Sequence, residues 1–204
     1  MQSYPVPAAP VSVDEEIKKS RFITLLAPAC GVEAARYVIQ QAREQHPSAA
    51  HYCWAYVAGS PVDSQQLGFS DDGEPSGTAG KPMLAQLMGS GIGEIVAVVI
   101  RYYGGIRLGT GGLVKAYGGG VQQALKQLPA QQKVMYQNYR LQCDYALLSQ
   151  VESVVLAVQG NIVSTEYAGD VTLQLAFPIT AVEEAARRLR DISRGALHLQ
   201  SISQ

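Results

Sequence analysis

From Val134 to the end of the chain the hydrophobic period changes four times, and the order of those changes leaves few folds open. MYQNYRLQCDY alternates as a strand does. ALLSQVESVVLAVQ follows with a helical period that places Leu147, Leu148, Val151, Val154, Val155 and Val158 on one face. NIVSTEY and DVTLQLAF read as two strands joined through a hairpin turn at Ala168-Gly169. AVEEAARRLRDI is again helical and amphipathic, and ALHLQSI is a last strand. The resulting order, β-α-β-β-α-β, is the ferredoxin-like split arrangement. Its outward sheet face is expected to carry Tyr136, Asn138, Arg140, Gln142, Thr172 and Gln174, polar but without paired stacking aromatics.

The first part of the chain also mixes strands and helices. RFITLLAPA, from Arg21, predicts a strand. GVEAARYVIQQAREQ predicts a helix with Val32, Ala35, Val38, Ile39 and Ala42 on one face, stopped by Pro47. HYCWAYVAG from His51 is strand-like, and GEIVAVVIRYYGG is the most apolar strand in the sequence. The helix VQQALKQL stops at Pro129. The fold class is therefore α+β with two domains, 1–130 and 134–204. LPAQQK, residues 128–133, is expected to be a short exposed connection.

Composition narrows the function classes. A formal net charge of -1 over 204 residues excludes coating of nucleic acid by bulk positive charge, so any polyanion contact needs a local patch. The three cysteines are far apart and lack CxxC spacing, which argues against a disulfide framework and a zinc ribbon. The N-terminus has no basic region followed by an apolar run, and no segment has the apolar length to cross a bilayer; a cytoplasmic, non-membrane setting is expected.

Two glycine-rich segments are the candidates for chemistry. FSDDGEPSGTAGKPML, residues 69–84, holds Asp71, Asp72, Glu74, Gly77, Thr78, Gly80 and Lys81. It is not a Walker A loop: Pro75 stands where the first glycine belongs, and Pro82 stands where magnesium needs a hydroxyl. Pro82 instead fits the first turn of a helix whose Met83, Leu84, Leu87 and Met88 pack inward. Gly77 to Lys81 would then offer an anion free N–H groups at a helix N-terminus. The opposing reading is that the acids cap turns and the glycines supply left-handed backbone.

YYGGIRLGTGGLVKAYGGG, from Tyr102, is not a dinucleotide fingerprint, since Val114 stands where the third glycine belongs. It brings Arg101, Tyr103, Gly104, Gly105, Arg107, Gly109, Gly111, Gly112 and Lys115 together in sequence. Cations and aromatics beside exposed backbone suit phosphate contact and base stacking. Close packing of a helix on a sheet is the alternative use of the glycines. His51 and Cys53 share one strand face but make at most half a metal site, so no metal is assigned. No nucleophile elbow is present and no catalytic residue is assigned. Arg187, Arg188, Arg190 and Arg194 form a secondary basic patch behind Glu183 and Glu184.

Through FSDDGEPSGTAGKPML and VVIRYYGGIRLGTGGLVKAYGGG, supported by EEIKKSRFI and HYCWAYVAG, the sequence closely resembles the IMPACT family in its bacterial branch, essentially end to end. The resemblance implies a first domain like domain IV of elongation factor G and a ribosomal small-subunit protein, and a second like that factor's last domain. It also implies association with translation, because eukaryotic relatives oppose activation of an initiation-factor kinase. Those relatives carry an added RWD interaction domain, and their partner does not carry over. RNA or the ribosome is the expected partner, with a regulatory protein as another. A small phosphate compound or nucleotide, bound by an enzyme or sensor through the same loops, is the alternative. No cofactor is implied.

Overall fold

The computed structural model describes residues 3–202, and the outermost ends of both predicted domains lie outside them. The chain divides into two compact units, Tyr4–Lys133 and one made chiefly of Val134–Gln204. Among the described residues no helix is long and apolar enough to cross a membrane.

The first unit contains, in order, β1 (Tyr4–Pro7), β2 (Val11–Ile17), β3 (Ser20–Pro28), α1 (Val32–Gln45), β4 (His51–Val57), β5 (Leu67–Ser70), α2 (Gly80–Ser90), β6 (Ile95–Tyr102), α3 (Thr110–Gln127) and β7 (Ala130–Lys133). Five strands form one antiparallel sheet in the order β2-β3-β6-β4-β5. The apolar run predicted as a strand is its middle. Ile95, Ala97 and Val99 of β6 enter the core beneath α2 and α3, and Val96, Val98 and Ile100 enter the core beneath α1. A strand covered on both faces has no solvent side, so its sequence has no polar alternation.

The first unit departs from the expected pattern in four places. The residues before Arg21, in which the sequence predicts no element, supply β1 and β2. LPAQQK is not only a connection: Ala130–Lys133 pairs antiparallel with Tyr4–Pro7, and Glu94 joins Tyr4 and Lys133 beside the ribbon. The glycine-rich run from Gly111 is helical, since α3 already begins at Thr110. A Cβ on Gly120 would lie 2.5 Å from Thr24 Oγ1, so here glycine lets the helix lie against β3, and packing outweighs its poor helix propensity. Met88, expected inside, is exposed, whereas Met83 and Leu87 are fully buried.

In the second unit β8 (Tyr136–Cys143), α4 (Leu148–Ala157), β9 (Asn161–Tyr167), β10 (Val171–Pro178), α5 (Val182–Ile192) and β11 (Gln200–Ser201) follow the expected β-α-β-β-α-β order. The sheet runs β11-β8-β10-β9. Val151, Val154 and Val155 of α4 and Ala185 and Leu189 of α5 pack with Leu141, Leu173 and Leu175 in one core. The last strand is shorter than ALHLQSI suggested, with only two paired residues.

Candidate functional site: a cleft beside the start of α3

The loop between β5 and α2 carries three acids, and the fold gives each a different structural task. Asp71 accepts from the backbone N–H groups of Gly77 (2.8 Å), Ala79 (3.0 Å) and Gly80 (2.9 Å). Burial raises its pKa, but those three donors outweigh burial and hold the carboxyl below its ordinary value. Of the N–H groups that the sequence offered to an anion at Gly77 to Lys81, those of Gly77, Ala79 and Gly80 are thus taken by Asp71 and that of Thr78 by the Pro75 carbonyl, which corrects that expectation.

Asp72 ties the loop to the sheet and to α1. Its carboxylate accepts from Tyr52 N at 2.7 Å and from Arg43 Nη2 at 2.6 Å. Its carbonyl lies 2.9 Å from His51 Nδ1, and a carbonyl can only accept, so Nδ1 carries the hydrogen. The Cys53 thiol reaches the Asp71 carbonyl at 3.0 Å, and burial pushes its pKa up to about 12. Thr78, also predicted at the site, is buried and donates its hydroxyl to the Pro75 carbonyl.

Glu74 is buried. One of its oxygens accepts from Arg101 Nη1 at 2.5 Å and from the Tyr117 hydroxyl at 2.7 Å, and His51 Nε2 stands 3.9 Å away. Arg101 Nη2 also donates to Ser20 Oγ at 3.3 Å, and Ser20 Oγ in turn accepts from Gly104 N. A Cβ on Gly104 would come within 1.9 Å of the Lys19 carbonyl, so only glycine passes there. Burial drives the Tyr117 pKa upward, reinforced by Cys53 and Glu74. Arg101 is therefore not the exposed cation the sequence suggested, and Glu74 is not a free acid. They neutralise each other in the interior.

The two glycine-rich segments nevertheless meet. An open cleft of about 630 Å³ has His51 and Gly73 to Pro75 on one side and Tyr103 and Arg107 to Thr110 on the other, with Arg101 and Leu113 also in its lining. Arg107, Gly109, Thr110 and Gly111 are exposed, Gly105 turns at positive φ, and Gly112 is half-buried in the first turn of α3. No side chain among the described residues caps that helix. Lys81 and Lys115 do not share the cleft; they line a separate groove with Gly77, Pro82 and Gly118.

Half of the secondary basic patch is compensated. Glu184 pairs with Arg187 and Arg188, each at 2.7 Å, and Asp191 also pairs with Arg187. Arg190 and Arg194 are exposed, Arg194 with φ of 53°. His51, Ser20 and Tyr117 were missed as members of the site. Ser20 lies on β3, His51 on β4 and Tyr117 on α3, and their meeting depends on strand order and helix placement, which local sequence pattern does not reveal.

Comparison with known proteins follows the same division into two units. Residues 18–125 match the Impact N-terminal domain, and residues 141–196 match the Domain of unknown function (DUF1949). The chain is 59% identical to IMPACT family member YigZ of Escherichia coli (strain K12), with all of both chains covered. It is 51% identical to an IMPACT family member of Haemophilus influenzae, over 98% of this chain and 97% of the other. IMPACT family member YvyE of Bacillus subtilis (strain 168) is 38% identical over 82% of this chain and 74% of its own. A crystal structure of a hypothetical protein, 59% identical and covering 100% of this chain and 99% of its own, superposes with a TM-score of 0.73.

Proposed function

Because the chain belongs to the IMPACT family, we propose that it acts without catalysis, as a translation-associated protein that binds single-stranded RNA. One observation carries the reading: Lys81 in the first turn of α2, Arg107 just before α3 and Lys115 on α3 are exposed and form no salt bridge among the described residues. The remaining charges of the two glycine-rich segments are spent internally, on Asp71, Asp72 and the Glu74–Arg101 pair.

The exposed ring of Tyr103 adds a stacking surface at the cleft rim. Cations that track a backbone together with an aromatic platform make a sequence-tolerant binder of single strands. The reading carries a cytoplasmic setting with it. A regulatory protein partner is the competing proposal, and nuclease-resistant, salt-resistant complexes would favour it.

The test is ribosome co-sedimentation and oligonucleotide anisotropy across a salt series, with wild type beside Lys81→Ala/Arg107→Ala/Lys115→Ala. Three neutralised phosphates give a log–log salt slope of about -2 on a single strand. Loss of that slope in the triple variant supports the reading. Absence of saturable wild-type binding at low salt refutes it.

A further inference from the structure

We propose that the cleft beside the start of α3 is a binding site for a phosphomonoester carried on a nucleobase, either a free nucleoside monophosphate or the 5′ end of an RNA strand. For the strand end it rests on the RNA-binding reading above; for the free nucleotide it stands apart from it.

The argument begins with the contrast between two helix N-termini. Asp71 fills that of α2. The 18-residue α3 follows Gly109, which has no side chain to cap with, and the first intrahelical bond is Leu113 N to the Gly109 carbonyl. The N–H groups of Thr110, Gly111 and Gly112 precede that bond and so have no partner within the helix. They lie at the positive end of the helix dipole, where an anion is stabilised.

A second, independent observation lies in the cleft lining. The Arg101 side chain is 5% exposed, and its Nε is the one buried side-chain polar atom without a partner among the described residues. Arg101 and Glu74 cancel in charge, so Arg107 and the helix end supply the uncompensated positive character of the cleft. His51 adds a fixed polar edge: its Nδ1–H is held by the Asp72 carbonyl, and its Nε2 lies 3.9 Å from Glu74.

The organic part of the ligand follows from Tyr103. Tyr103 is 51% exposed, and the Arg101 guanidinium lies 5.4 Å from its ring centroid, which holds the ring from one side and leaves the residue accessible for stacking. The cleft volume of about 630 Å³ falls within the roughly 300–1,000 Å³ of small-ligand sites. Leu108 and Leu113 supply apolar lining.

The test is calorimetric titration of the full chain with uridine and adenosine monophosphates, the corresponding nucleosides and inorganic phosphate, beside 5′-phosphorylated and 5′-hydroxyl oligonucleotides. A charge-assisted contact of about 1.5–3 kcal/mol predicts that Arg107→Ala weakens monophosphate binding roughly 10- to 100-fold. Tyr103→Ala should weaken the monophosphates but not inorganic phosphate, and Lys126→Ala, at the exposed far end of α3 and outside the cleft, should change neither. A preference for the 5′-phosphorylated strand by tenfold or more (about 1.4 kcal/mol) assigns the strand end as the source, and monophosphate binding without that preference assigns the free nucleotide. Either result supports the site. It is overturned if neither a monophosphate nor a 5′-phosphate is preferred over its unphosphorylated counterpart, or if folded Arg107→Ala binds like wild type. RNA binding that persists without any such preference leaves the earlier reading standing alone, whereas nucleotide binding without RNA binding refutes that reading alone.

Discussion

Replacing Glu74 by glutamine should destabilise the first unit far more than so small a change suggests. The side chains of Glu74 and Arg101 are 4% and 5% exposed. Glutamine keeps the shape and can still accept from the Tyr117 hydroxyl, but Arg101 cannot shed its proton. A guanidinium is then left in the interior without its counter-charge, and breaking a buried pair from one side costs about 3–5 kcal/mol. The double variant Glu74→Met/Arg101→Met removes both charges at similar volume. It should recover much of that loss, limited by the unpaired Tyr117 hydroxyl at about 1–3 kcal/mol. Urea denaturation followed by tryptophan fluorescence measures this in the right place, because the chain's single tryptophan, Trp54, lies on β4 of the same unit and stacks on Tyr56. A Glu74→Gln protein within about 1 kcal/mol of wild type, or a double variant less stable than either single one, would refute the reasoning.

Asp71→Ala should cost about 1–2 kcal/mol, the upper range of a lost helix cap, with Asp71→Asn costing less because one oxygen remains for Ala79 and Gly80. Since the folded pKa of Asp71 lies below its ordinary 3.8, its stabilisation is complete above that value and fades as pH falls through the folded pKa; acid titration of the wild type should show this loss and Asp71→Asn should lack it. Cys30 is exposed while Cys53 and Cys143 are buried, with burial raising both buried thiol pKa values, so a thiol reagent should titrate one cysteine rapidly in the native chain and three after unfolding. Gly120→Ala should destabilise by about 1–3 kcal/mol despite improving helix propensity, and Thr24→Ala in the same chain should restore part of the loss, as thermal melts would report.

Elements that bury one clean face were legible before any coordinates. α4 and β10 show their period directly, and β6 shows that it has no solvent side. β1 was hidden by its prolines, and β2 by Glu15 at an inward-alternating position of an edge strand. The start of α3 was hidden because two glycines in its first turn and three at its middle read as loop, and only the contact with Thr24 explains one of them. At the site, the two lips were legible but their charges were not. Glu74 and Arg101 are 27 residues apart, and their pairing depends on which strands are neighbours, which composition does not encode. Asp71 is legible as a cap only once the backbone has brought it onto the start of α2.

The ribbon of Tyr4–Pro7 with Ala130–Lys133 sets an order of events during synthesis. The strand that leaves the ribosome first is the one whose partner is made last within this unit, so β1 must wait unpaired while the five-stranded sheet is assembled beside it. A nascent chain arrested before Lys133 has emerged should therefore hold the sheet without its closing ribbon. The same closure puts the two ends of the unit side by side, so a circular permutant joining them and opening at the exposed turn around Gly105 keeps every strand pair of the sheet.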